Sequence, residues 1–165
     1  MFQKINDTGS RVDNYEILIK QLDALIADER DEIANLANAA GLLNQFLNDI
    51  NWVGFYIWKH NELVLGPFQG LPACIRIPYG KGVCGSAVAN KETLNVPNVN
   101  HFPGHIVCDA ASQSEIVIPI FVHGHIYGVL DIDSPILNRF DKTDQHYLET
   151  FVAVLSEALE KAHAI

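Results

Sequence analysis

Residues 115–133 decide the fold: Glu115-Ile116-Val117-Ile118-Pro119-Ile120-Phe121-Val122-His123-Gly124-His125-Ile126-Tyr127-Gly128-Val129-Leu130-Asp131-Ile132-Asp133. Apolar side chains recur with period two on both sides of His123-Gly124, the pattern of two antiparallel strands and a tight turn. Centring the turn on Gly124 pairs Ile116 with Ile132, Ile118 with Leu130 and Val122 with Ile126, one unbroken apolar face. A one-residue slip would set Asp131 against Ile116, which the hydrophobic pattern forbids. On the other face Val117 then stands opposite Asp131, and Glu115 opposite Asp133. Cβ atoms directly across a sheet lie roughly 5 Å apart, so three carboxylates gather there. Strand carboxylates are ordinarily just a solvated face. Like charges set against each other are destabilising, however, and a ligand cation or a shared proton would relieve them.

Working outward, Trp52-Val53-Gly54-Phe55-Tyr56-Ile57-Trp58 is a strand, and Glu62 to Phe68 follows it after the Lys59-His60-Asn61 turn. Trp52, Tyr56 and Trp58 alternate onto one face, more often core than a ligand cage. Short strands are expected near Ile75–Ile77 and Thr93–Val96. Between them Gly80-Lys81-Gly82-Val83-Cys84-Gly85 reads as a glycine turn opening a short helix, without the lysine-serine ending of a P-loop. Residues 97–114 are a long polar loop carrying Cys108, a length usual for functional or disordered loops. Upstream, Asp13 and Glu16 have capping-box spacing, and Tyr15, Leu18, Ile19, Leu22, Leu25 and Ile26 form a helical stripe. Ile33, Leu36, Ala37, Ala40, Leu43 and Leu47 form another, interrupted by Gly41. A last helix spans Asp141 to Ala162. Two helices, about six antiparallel strands and a closing helix make an α+β domain with helices packed on a sheet.

The chain has 165 residues and a net charge of −9, so one acidic domain is expected, and a sequence-independent nucleic-acid binder is not. Residues 51–110 hold four basic and three acidic side chains, the stretch most tolerant of an anionic group. Nothing reads as a membrane span: Ile116 to Val122 falls far short of about 20 residues. Met1 to Arg11 lacks the apolar segment of an export signal, which places the protein in the cytoplasm.

Three cysteines in a reducing compartment are free thiols at rest. Cys74, Cys84 and Cys108 match no paired zinc spacing, and zinc held by all three with His105 is a weak alternative. Cys84 opens a helix, where amides and the dipole favour a thiolate. Cys108 lies near His101 and His105, which would lower its pKa if protonated. Singly, each cysteine reads as packing; together they suggest a nucleophile with resolving partners.

The segments Asn51 to Tyr56, Gly66 to Gly70, Cys74 to Ile77, Gly80 to Gly85, Gly104 to Asp109, Ser114 to Val117 and Leu130 to Ser134 resemble the free methionine-(R)-sulfoxide reductases. The resemblance covers roughly residues 15–160. It implies a single GAF domain over 13–163, a 1–12 N-terminal extension, and a six-stranded antiparallel sheet flanked by N-terminal helices and a C-terminal helix. It further implies reduction of free L-methionine (R)-sulfoxide, with thioredoxin as reductant and no cofactor or metal. By similarity Cys108 attacks the sulfur and becomes a sulfenic acid, and Cys74 or Cys84 condenses with it to a disulfide, Cys74 being the family's favoured partner and Cys84 a relay. Glu115, Asp131 and Asp133 would hold the α-ammonium, and one of them would protonate the oxygen. Trp52 and Tyr56 would pack on the S-methyl group, and glycine-turn amides would take the α-carboxylate. A homodimer is compatible with the sequence. The rival readings are a GAF sensor that binds a small molecule without catalysis, and a zinc-binding structural module.

Overall fold

The first helix, α1 (Arg11–Ile26), starts at Ser10, whose hydroxyl accepts the Asp13 amide at 3.3 Å. The cap therefore sits three residues upstream of the expected Asp13, which instead places its charge in the first turn. The computed structural model describes residues 9–164. Residues 1–8 of the expected extension lie outside the described residues, and Arg11 and Val12 belong to α1. Helix α2 (Glu32–Phe46) is capped by Asp31 and runs unbroken through Gly41. Its buried stripe passes through Leu36, Ala40 and Leu43. Ile33, in the first turn, is 55% exposed, and Ala37, about 100° round the helix from Leu36, also faces out.

The strands are β1 (Trp52–Lys59), β2 (Glu62–Gly70), β3 (Arg76–Pro78), β4 (Leu94–Val96), β5 (Ser114–Val122) and β6 (His125–Ser134). They form one antiparallel sheet in the order β3-β2-β1-β6-β5-β4. Between β3 and β4 lies α3 (Gly82–Asn90), and α4 (Lys142–Ala162) closes the chain. Asp141 and Asp144 form a reciprocal capping box on α4, and the Tyr15 hydroxyl donates to Asp144 at 2.7 Å, tying α1 to α4.

The hairpin register holds over the half away from the turn: Glu115 pairs Asp133, Ile116 pairs Ile132, Val117 pairs Asp131 and Ile118 pairs Leu130. It departs near the turn. A bulge between Ile120 and Phe121 sets Phe121 opposite Ile126 and Val122 opposite His125, not Ile126. The turn is two residues long, with φ of 49° at His123 and 77° at Gly124, the pair of left-handed residues that matches strand twist. At Gly128 a Cβ would lie 2.2 Å from the Tyr56 carbonyl oxygen, so β1 approaches β6 closely there.

The sheet separates two apolar clusters. On one face Val53, Phe55, Ile116, Ile118, Leu130 and Ile132 pack beneath α1, α2 and α4. On the other, Trp52, Tyr56, Val117 and Val129 join Leu63, Ile77 and the apolar residues of α3. The 97–114 loop is anchored over this second face. It contains a 3₁₀ turn (Val99–His101), and the Val99 amide donates to Gln113 O at 2.9 Å while Gln113 N donates to Ser134 O at 2.7 Å. Among the described residues, no helix is long and apolar enough to cross a membrane.

Candidate active site

A pocket opens on the second face of the sheet. Alternation along β1 aims Trp52 and Tyr56 at it. Trp52 stacks on Tyr56 at 5.8 Å and on Phe68 at 5.2 Å between centroids, which makes one wall aromatic. Their polar tips reach the β2–β3 connection: Trp52 Nε1 donates to Leu71 O at 3.1 Å and the Tyr56 hydroxyl to Cys74 O at 2.9 Å.

Cys74, thus held, is joined to Cys108 by a disulfide whose Cα atoms are 5.5 Å apart. The structure is therefore the oxidised form, not the free-thiol resting state expected from composition. Cys108 is the more exposed partner. Its loop is tied down by Asp109, which accepts the Ala111 amide at 2.8 Å and the Asn51 side-chain amide at 3.0 Å. Asn51 also donates to the Ser112 hydroxyl at 3.1 Å. Asn51 and Ser112 were not singled out as functional from sequence, because their part is to hold a loop that folds back from far along the chain. The available signal was that Asn51 opens the Asn51 to Tyr56 segment that carries the family resemblance.

The pocket floor carries Glu115 and Asp131, each 5% exposed, with the more open Asp133 beside them. Cys84, buried in the first turn of α3, points its sulfur at Glu115 Oε1 over 3.9 Å. His105 Nε2 lies 3.7 Å from Glu115 Oε2. Burial, and then the neighbouring carboxylates, push Glu115 and Asp133 well above the ordinary carboxylate range. Burial raises Asp131 to about 6. The ligand-free floor therefore favours the protonated form of its carboxyls. Burial and the same three carboxylates push the Cys84 thiol far up, overriding the helix N-terminus that was expected to favour its thiolate. Burial lowers His105, which is neutral at pH 7 and lends Cys108 no positive charge. His101 lies exposed in the 3₁₀ turn and is not among the pocket residues.

The fold thus brings together Trp52, Tyr56, Cys84, Cys108, Glu115, Asp131 and Asp133, with Cys74 bonded to the rim. Zinc on three cysteines and His105 is incompatible with the Cys74–Cys108 bond. Among the described residues, the group able to hold a metal ion is Cys84, Glu115 and Asp131, whose ligand atoms lie within 4.8 Å of one another. Gly82, with φ of 59°, lets α3 begin against the pocket; a Cβ there would press on Ile106 at 3.1 Å.

The GAF domain family matches residues 21–159 of this sequence. The chain belongs to the GAF domain family. A free methionine-R-sulfoxide reductase of Escherichia coli (strain K12) is 49% identical over 150 residues, 91% of each chain. Among solved structures, the free methionine-R-sulfoxide reductase of Neisseria meningitidis in complex with its substrate is 42% identical. It covers 98% of both chains with a TM-score of 0.93. The reduced form of fRMsr of Staphylococcus aureus is 53% identical, covering 96% of this chain and 99% of its own, with a TM-score of 0.87. Within the GAF family, this chain groups with the free methionine-R-sulfoxide reductases.

Proposed function

We propose that this protein reduces free L-methionine (R)-sulfoxide to methionine, with Cys108 as the nucleophile. The observation that carries the reading is the Cys74–Cys108 disulfide at the rim of a pocket floored by three carboxylates. Sulfoxide sulfur is a poor electrophile until its oxygen is protonated, so a thiolate and a carboxylic acid are needed together. The Cys108 thiolate attacks sulfur while a protonated floor carboxyl gives its proton to the oxygen. Methionine departs and Cys108 is left as a sulfenic acid. The Cys74 thiol attacks that sulfur and releases water, and the disulfide seen here is the product. Two thiols of thioredoxin then return both cysteines to thiols by exchange.

Binding follows the same partition. Glu115, Asp131 and Asp133 suit an α-ammonium, whose charge relieves their crowding. The aromatic wall of Trp52 and Tyr56 suits the S-methyl group. The Gly80 and Lys81 amides are used inside their turn, on Gly85 O and Pro78 O, so the α-carboxylate falls to the first amides of α3 at Gly82 and Val83. Around the disulfide, Leu71, Ile75 and Val107 are each about two-thirds exposed, an apolar rim suited to a thiol–disulfide oxidoreductase.

The test is consumption of the separate R and S epimers of free methionine sulfoxide with thioredoxin, its reductase and NADPH. Turnover of R alone is expected. Binding without consumption of either epimer would overturn the reading in favour of a sensor. Cys74→Ser should keep the first turnover and lose cycling; full cycling there, with loss in Cys84→Ser, would transfer the resolving role to Cys84.

A further inference from the structure

Cys84, Glu115 and Asp131 take no part in the disulfide, yet each offers a ligand atom within 4.8 Å of the other two. We propose that these three side chains form a binding site for a thiophilic divalent cation, zinc foremost, in the position that a cationic ligand of the pocket would take. Two independent observations point to it. The first is the donor set: one thiolate sulfur and two carboxylate oxygens suit zinc, whereas magnesium and calcium demand oxygen ligands alone. The second is Asp131 Oδ1, a buried carboxylate oxygen on the pocket floor with no hydrogen-bond partner.

The geometry is near what zinc needs. With Zn–S of about 2.3 Å and Zn–O of about 2.1 Å, tetrahedral ligand atoms stand roughly 3.4–3.6 Å apart. Cys84 Sγ and Glu115 Oε1 are 3.9 Å apart and all three ligand atoms lie within 4.8 Å of one another, so side-chain shifts of up to about an ångström close the set. Three protein ligands with a fourth position facing the pocket is the pattern of an exchangeable metal rather than a closed structural one. Cys84 is free while Cys74 and Cys108 are joined, so the site exists in the oxidised protein. Metal and a cationic ligand would exclude each other, and zinc would stall the pocket in either redox state.

The site itself stands on these three residues; only its overlap with an ammonium rests on the proposed reductase reading. The experiment is a titration of cobalt(II) into the full-length oxidised chain, followed by its thiolate-to-metal charge-transfer absorption. Saturation at one cobalt per chain is expected, with the band displaced by zinc. The band should persist in the double variant Cys74→Ser/Cys108→Ser, vanish in Cys84→Ser, and need at least tenfold more cobalt in Asp131→Asn. No band in the oxidised wild type, or an equal band in Cys84→Ser, would overturn the site. Free methionine should discharge the band, while glycine at the same concentration, an equal chelator in solution, should not. Methionine that binds the metal-free chain but leaves the band intact would refute the shared position. Methionine that binds neither form would refute the ammonium role and leave the metal site standing on its band.

Discussion

Leu130 and Asp131 are neighbours in β6 and end on opposite faces of the same sheet. Leu130 joins Ile116, Ile118 and Ile132 in a dry layer under three helices, whereas Asp131 faces Glu115, Asp133 and Cys84 in a pocket. The same three strands, β1, β5 and β6, build both surfaces, because successive side chains alternate. One face therefore supplies the stability that the other draws on. Buried carboxylates without a cation are costly, and the ligand-free pocket meets that cost by keeping protons. A stable apolar layer directly beneath is what makes such a destabilising cluster tolerable.

The contrast breaks most completely at Cys108. Cys108→Ser should abolish methionine formation even in a single turnover while the thermal midpoint stays close to that of the reduced wild type; a near-normal single-turnover yield would remove Cys108 as nucleophile. Next come the carboxylates. Glu115→Gln or Asp133→Asn removes one partner of a buried charged contact, about 2–5 kcal/mol, so kcat/KM for the free R-sulfoxide should fall roughly 30-fold to several thousand-fold. N-acetylated R-sulfoxide, which has no ammonium, should be scarcely used by the wild type. Comparable kcat/KM on free and acetylated substrate would end the ammonium role.

On the opposite face the same kind of truncation should act on stability instead. Leu130→Ala should cost about 2–5 kcal/mol, a midpoint lower by roughly 4–20 °C, with kcat/KM of the folded fraction little changed. Asp131→Asn should do the reverse, weakening activity while relieving the fold. Its raised pKa means that the folded state holds a proton the unfolded chain releases. The wild type's stability from this group is therefore full below about pH 4 and lost as pH rises toward about 6. The midpoint of Asp131→Asn relative to wild type should climb across that window, measured by thermal melts without ligand; a flat difference would mean that Asp131 is not held neutral. The smallest effect belongs to the helical face. Gly41→Ala, where a Cβ meets nothing within 4 Å, should stabilise by about 0.5–1 kcal/mol in denaturant titration without touching turnover.

Much of the site's layout is legible in the sequence. The pairing of Glu115 with Asp133 and of Val117 with Asp131 follows from period-two alternation and the ban on burying Asp131 against Ile116. The bulge at Ile120–Phe121 was not legible, because near the turn the chain's twist and the two-residue type of the loop, not the apolar pattern, choose the register. In α2 the apolar Ile33 resembles core by pattern, but a first-turn position reaches beyond what the sheet covers. For α1 the capping-box spacing pointed to Asp13, whereas the Ser10 hydroxyl caps the helix and Asp13 falls in its first turn.

What the sequence by itself determined is therefore periodic and local: the strands, the helices, the central hairpin register and the gathering of three carboxylates. Motif resemblance added which chemistry they serve. Only the tertiary structure decided the environment of each group. Asn51 reaches Asp109 across 58 positions to hold the Cys108 loop. Cys74 meets Cys108 across 34. Cys84 looks like an activated thiol by its place at a helix start, yet its sulfur is buried against carboxylates that raise its pKa instead. The physical reason is common to all three. Alternation and propensity act between near neighbours, whereas burial, desolvation and charge crowding depend on which distant segments come to lie above a residue.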